Sequence, residues 1–103
     1  MSYAVKILTP ADADAVEAAL WYDAQCVGLG EEFMAEVEAA ANRLTDHPEI
    51  HRIRFAEVRR APLHRFKSYG VFYLIHGHEV WVIAVHHGRR HPRWLRERRT
   101  KLG

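Results

Sequence analysis

The stretch Tyr69-Gly70-Val71-Phe72-Tyr73-Leu74-Ile75-His76-Gly77-His78-Glu79-Val80-Trp81-Val82-Ile83-Ala84-Val85 decides the fold. It holds two runs, residues 71–75 and 80–85, that are almost wholly apolar and of strand length. Runs of this kind are central strands covered on both faces, since a strand with one wet face alternates instead. His76-Gly77-His78 joins them as a tight hairpin. Just upstream, residues 55–63 alternate loosely and contain Pro62, which suits an edge strand or a strand end because proline cannot donate to a ladder.

Before residue 50 the period is helical. Residues 3–8 form a short alternating strand, with Tyr3, Val5 and Ile7 on one face. Thr9-Pro10-Ala11-Asp12 then signals a helix start, Thr9 as cap and Pro10 at the first helical position. Ala13, Val16, Leu20, Ala24 and Val27 recur at helical spacing and predict the buried stripe. Gly28 ends that helix, and a second follows on Leu29, Phe33, Val37, Ala40 and Leu44 until Pro48 stops it. The expected order is β-α-α-β-β-β. The fold class is α+β, an antiparallel sheet with a helical hairpin packed on one face and a short basic C-terminal helix or tail.

Charge divides the chain as sharply as periodicity does. Residues 1–50 hold ten carboxylates against Lys6 and Arg43, a formal −8. Residues 51–103 hold thirteen Lys and Arg against Glu57, Glu79 and Glu97, a formal +10, so the net charge of +2 conceals a polarised molecule. A segment so cationic repels itself unless an anionic surface lies against it: nucleic acid, an acidic protein, or the chain's own acidic helices.

A length of 103 residues with 49% apolar content suits one domain, 1–103, with a core over 3–95 and a basic tail over 96–103. Cys26 is the lone cysteine, so no internal disulfide forms. The N-terminus lacks the basic and apolar regions of a signal peptide, and no run reaches the roughly eighteen apolar residues of a membrane span. A soluble cytoplasmic protein is the expectation.

Several local strings, in order, resemble the RelE/ParE superfamily of type II toxin–antitoxin (plasmid stabilisation) toxins. Ala19-Leu20-Trp21-Tyr22 leading to Gly28-Leu29-Gly30-Glu31-Glu32-Phe33 is similar to the family's helical hairpin and its Gly-Leu-Gly turn. Val58-Arg59-Arg60 and Leu63-His64-Arg65-Phe66 resemble the second strand and the approach to the third. Tyr69-Gly70-Val71-Phe72-Tyr73 is similar to the aromatic third strand. His86-His87-Gly88-Arg89-Arg90-His91-Pro92 resembles the exit from the fourth. The resemblance covers about residues 3–95; Lys67 departs from it, standing where many members have proline. It implies a growth-inhibiting toxin neutralised by a cognate acidic antitoxin, with possible hetero-oligomers between them. The target implied is either DNA gyrase or mRNA on the ribosome.

Cleaving RNA through its 2′-hydroxyl needs a base, a proton donor and positive charge over the phosphate. His87 is the candidate for proton transfer, and Arg60, Arg65 and Arg90 for holding the phosphate. His64 and His86 are spare histidines, and Glu57 is a possible base. The tyrosine that RelE-like ribonucleases often carry near the C-terminus is missing here, because no tyrosine follows Tyr73. That incomplete set tips the expectation toward a ParE-like gyrase inhibitor. A metal-independent ribosome-dependent endoribonuclease is the alternative, and an inactive nucleic-acid- or protein-binding module is a third. The same residues also suit plain structural roles: arginines on outer strands discourage edge-to-edge aggregation. Arg59, Arg89, Arg93, Trp94 and Arg96 are candidates for antitoxin contact, although for Trp94 anchoring of the tail to the domain is the preferred reading. The eight histidines and Cys26 show no zinc spacing, and neither a metal nor another cofactor is expected. Trp21, Tyr22, Phe33, Phe72, Tyr73 and Trp81 are assigned to the core.

Overall fold

In a computed structural model, which describes residues 2–66, 68–88 and 92–102, the apolar stretch forms β4 (Tyr69–His76) and β5 (Glu79–His87). They pair antiparallel at the middle of a five-stranded sheet. The other elements are β1 (Ala4–Ile7), α1 (Thr9–Gln25), α2 (Leu29–Arg43), β2 (Ile53–Phe55), β3 (Val58–Pro62) and α3 (Pro92–Thr100), with a 3₁₀ turn at Pro48–Ile50. The strand order is β1-β5-β4-β3-β2. The expected α+β architecture is present, with two refinements. β1 runs parallel to β5, so the sheet is mixed. The single strand expected over residues 55–63 is a hairpin, β2–β3, turning on Ala56 and Glu57. Both turn residues are left-handed, with φ of 43° and 67°. That geometry is ordinarily signalled by Asn or Gly, which is why it is silent here.

Side chains of β4 alternate between two cores. Val71 and Tyr73 face the α1–α2 hairpin, together with Ala61, Val80, Val82 and Val85. Phe72 and Leu74 face the other way with Val58, Ile83 and Ala84, and there Leu95 of α3 closes over them at 3% exposure. The sheet face away from the hairpin is therefore not an open cationic surface, because α3 is packed on it.

Helix α1 departs from its expected orientation. Ala11, Ala15 and Ala18 are buried, whereas Val16, Leu20 and Val27 of the expected stripe are exposed, as is Trp21. Small residues face the sheet because they let helix and sheet approach closely. Thr9 makes no capping bond; Leu8 occupies the cap position, and its carbonyl accepts the Asp12 N–H at 3.0 Å. α1 ends at Gln25, before the expected Gly28, with Cys26 extended at its cap position. Gly28, at φ 92°, a conformation glycine adopts without penalty, caps the start of α2 instead. The Asp23 carboxylate then accepts the N–H groups of Gly28 and Gly30 at 2.9 and 3.2 Å, fixing the entry to α2.

β1 covers only the first half of β5, its register ending at Ile7 opposite Val82. Beyond that point Ile83 is the extra residue of a bulge, since Phe72 faces Ala84 while Tyr73 faces Val82. Two side chains serve the edge of β5 there. Asp14 of α1 accepts the Val85 N–H at 3.1 Å, and Arg98 of α3 donates to the Ile83 carbonyl at 3.3 Å. Asp14 and Arg98 also pair with each other. An ion pair thus takes the place of a missing strand and pins α3 to the fold.

Candidate functional site

The two faces of β3 send its adjacent arginines to different tasks. Arg59, opposite Tyr73, points to the hairpin side, where its guanidinium donates to the Glu49 and His51 carbonyls at 3.0 and 2.7 Å. It holds the 3₁₀ turn to the sheet. Arg60, opposite Phe72, points to the α3 side and lies over the Phe72 ring, 5.8 Å from its centroid. Space for it is made by two glycines: a Cβ on Gly70 would fall 2.5 Å from Arg60 Nε, and one on Gly88 2.9 Å from Nη2. Nη2 donates to the Ser68 carbonyl at 3.2 Å, while Nε is buried with no hydrogen-bond partner among the described residues.

Arg60 lines a cavity of about 310 Å³ with Arg54, Phe55, Phe72, His87, Gly88, Trp94, Leu95 and Arg96. Its walls are aromatic and its charged groups are guanidiniums; none of these residues is a carboxylate. Arg96 lies over Phe55 at 4.9 Å, so its charge is held at the mouth. Burial first, then the neighbouring Arg54 charge, pull the Arg60 guanidinium below its ordinary pKa. It stays charged at neutral pH all the same, because its ordinary value is so high. An arrangement of this kind stabilises an anion laid against it, by charge and by directed N–H donors.

The expected catalytic group is only partly assembled. Arg60 and His87 share this cavity, and His87 also makes an edge contact with Tyr69 at 5.6 Å. Arg65 lies elsewhere: its guanidinium pairs with Glu32 at 2.5 Å and its N–H donates to Glu36 at 3.0 Å, tying the β3–β4 loop to α2. His64 lines a separate cavity with His47 and His51. His86 sits 3.2 Å from Asp14 and its ring meets that of Trp94 at a tilt of 56°, with centroids 3.9 Å apart. Glu57 is at the β2–β3 turn and lines neither this cavity nor that of His64. Arg89, Arg90, His91 and Lys67 lie outside the described residues.

Among the candidates for partner contact, Arg93 and Arg96 are exposed on α3. Trp94 is half-buried against Phe72 and His86 and anchors the helix. Arg54 and Asp14 went unremarked in the sequence. Gly70 was the one usable sign: a glycine inside an apolar strand marks a close approach, which here is that of Arg60. Nothing near Asp14 in the sequence indicates the edge it caps, seventy-one residues away.

A family model described as the ParE toxin of the type II toxin–antitoxin system, parDE, matches residues 5–92. The chain belongs to the ParE toxin family. A search of curated proteins returns no match. Among solved structures, one described as the chromosomal ParDE TA system from P. aeruginosa is similar in fold, with a TM-score of 0.75. The superposition covers 84% of this chain and 96% of that one at 14% identity. No helix among the described residues is long and apolar enough to cross a membrane.

Proposed function

We propose that this chain, a type II toxin of the ParE kind, arrests growth by inhibiting DNA gyrase and is restrained by an acidic antitoxin. One observation supports the choice of target: the described candidates for a ribonuclease do not all converge. Of the candidates, Arg60 and His87 share a cavity, while Arg65 is committed to Glu32 and His86 to Asp14. What the cavity offers is cationic recognition without a carboxylate base. A surface made of Arg54, Arg60, Arg93 and Arg96 suits an acidic peptide, which would neutralise charge and cover the cavity at once.

The shared cavity of Arg60 and His87 favours a second reading, cleavage of mRNA on the ribosome with His87 moving the proton. Expression without the partner separates the two. Growth arrest with intact messages and an induced DNA-damage response supports gyrase. Rapid loss of translated messages, abolished by His87→Ala, supports the ribonuclease. Normal growth excludes both.

A further inference from the structure

Helix α1 is apolar on two sides. Its alanines face the sheet, while Val16, Leu20 and Trp21 stand outward at 43, 68 and 59% exposure. Single exposed apolar residues are ordinary, but contiguous ones mark an interaction surface. Val16 and Leu20 join Ala19, Met34 and Ala35 in a groove of about 420 Å³ that runs between α1 and α2. Its rim is acidic, made by Asp23, Glu31 and Glu38, and no lysine or arginine lines it. Glu31 and Glu38 make no ion pair among the described residues.

We propose that this groove docks an amphipathic helix of a partner protein, one whose apolar stripe is flanked by lysine or arginine. A furrow between two helices takes a third helix by the ordinary packing of ridges into grooves. The acidic rim selects the sign of its flanks. A second copy of this chain fits poorly on both counts. Two-fold pairing of the hairpins would set Glu31 and Glu38 against the same acidic rim. The basic α3 has Trp94 and Leu95 packed on its own sheet and no second apolar stripe to offer. The site is separate from the Arg60 cavity, and its occupant carries the opposite charge from an acidic antitoxin segment. The docking does not depend on which target the toxin has.

The test uses the whole chain and a fluorescein-labelled synthetic helix of leucine and lysine, its leucines on one stripe, followed by anisotropy. Saturable binding is expected, weakened about tenfold or more by Leu20→Glu, a loss of about 1.4 kcal/mol. Leu20→Glu adds a carboxylate that attracts the lysines, so weaker binding isolates the apolar contact. Leu20 is exposed, and circular dichroism verifies that the variant folds; Val16→Ser is the second variant, with the same expected direction. Glu31→Lys with Glu38→Lys is expected to weaken binding similarly, and a peptide with glutamate in place of lysine is expected not to bind. Binding that survives Leu20→Glu and Val16→Ser unchanged, or equal binding of the glutamate peptide, overturns the proposal. So does a dimer in sedimentation that Leu20→Glu dissociates, because the occupant is then a second copy.

Discussion

Asp14 holds three elements at one point, and its titration should be visible in the stability of the whole chain. Its carboxylate, 11% exposed, meets the Val85 N–H, His86 Nε2 and the Arg98 guanidinium. Burial is the largest single influence and pushes its pKa up. The hydrogen bonds from His86, Arg98 and Val85 together outweigh it and leave the group below its ordinary value. A carboxyl depressed in the folded state contributes stability above its unfolded pKa and loses it as pH falls through the folded one. Urea unfolding should therefore show stability falling below about pH 4, with a shallower fall in Asp14→Asn. At neutral pH, Asp14→Ala should cost about 2–4 kcal/mol, since it leaves a cation and an edge N–H without their partner. Tyr73 presents the neutral counterpart. Its hydroxyl donates to the Pro48 carbonyl at 2.6 Å in the hairpin-side core, and burial pushes its pKa up to about 12. Tyr73→Phe leaves that carbonyl without its donor and should cost about 1–2 kcal/mol, measured by the same unfolding.

The elements that could be read in the sequence are those whose signals are local. The apolar runs of β4 and β5 announce strands buried on both sides, and Gly28 marks the break between α1 and α2. α2, by contrast, ends at Arg43, ahead of the expected stop at Pro48, which opens the 3₁₀ turn. The orientation of α1 could not be read, because it is apolar on two sides and periodicity favours the larger residues. The sheet instead selects Ala11, Ala15 and Ala18, whose small side chains allow close packing. The β2–β3 turn was hidden for another reason: its conformation is imposed by the pairing of Ile53 with Arg59 and Phe55 with Val58. Ala56 and Glu57 are held left-handed against their own preference. A left-handed residue with a Cβ carries about 1 kcal/mol or more of local strain. Ala56→Asn with Glu57→Gly supplies the residues this turn favours and should raise stability by about 1 kcal/mol in chemical unfolding. Arg60 and His87 were legible as a pair, but Arg65 was not separable from them. Which face of the sheet a loop arginine reaches depends on where α2 places Glu32 and Glu36.

Over the whole molecule, the charge division along the chain becomes a division in space. The hairpin carries the acidic half outward, and β2, β3 and α3 bring Arg54, Arg60 and Arg96 together on the opposite face of the sheet, while Arg59 is turned to the hairpin side. α3 does not simply trail from this arrangement. Leu95 seals the second core, and Arg98 is tied to Asp14, leaving Arg93 and Arg96 outward. The cationic face is thus presented on a fixed helix beside a fixed Arg60, which lowers the ordering cost of binding an acidic partner. Attraction between exposed charges of opposite sign is screened by salt. Binding of the antitoxin by the purified toxin should therefore weaken steadily as salt is raised. Arg54→Glu with Arg96→Glu reverses two exposed charges that line the cavity, and neither residue is a member of either core. It should weaken that binding at least about tenfold at low salt, an effect of about 1.4 kcal/mol, and reduce its salt dependence. Calorimetric titrations across a salt series measure both effects. Binding that ignores salt and survives the reversal would mean that the antitoxin holds this toxin through apolar contacts, away from the arginine face.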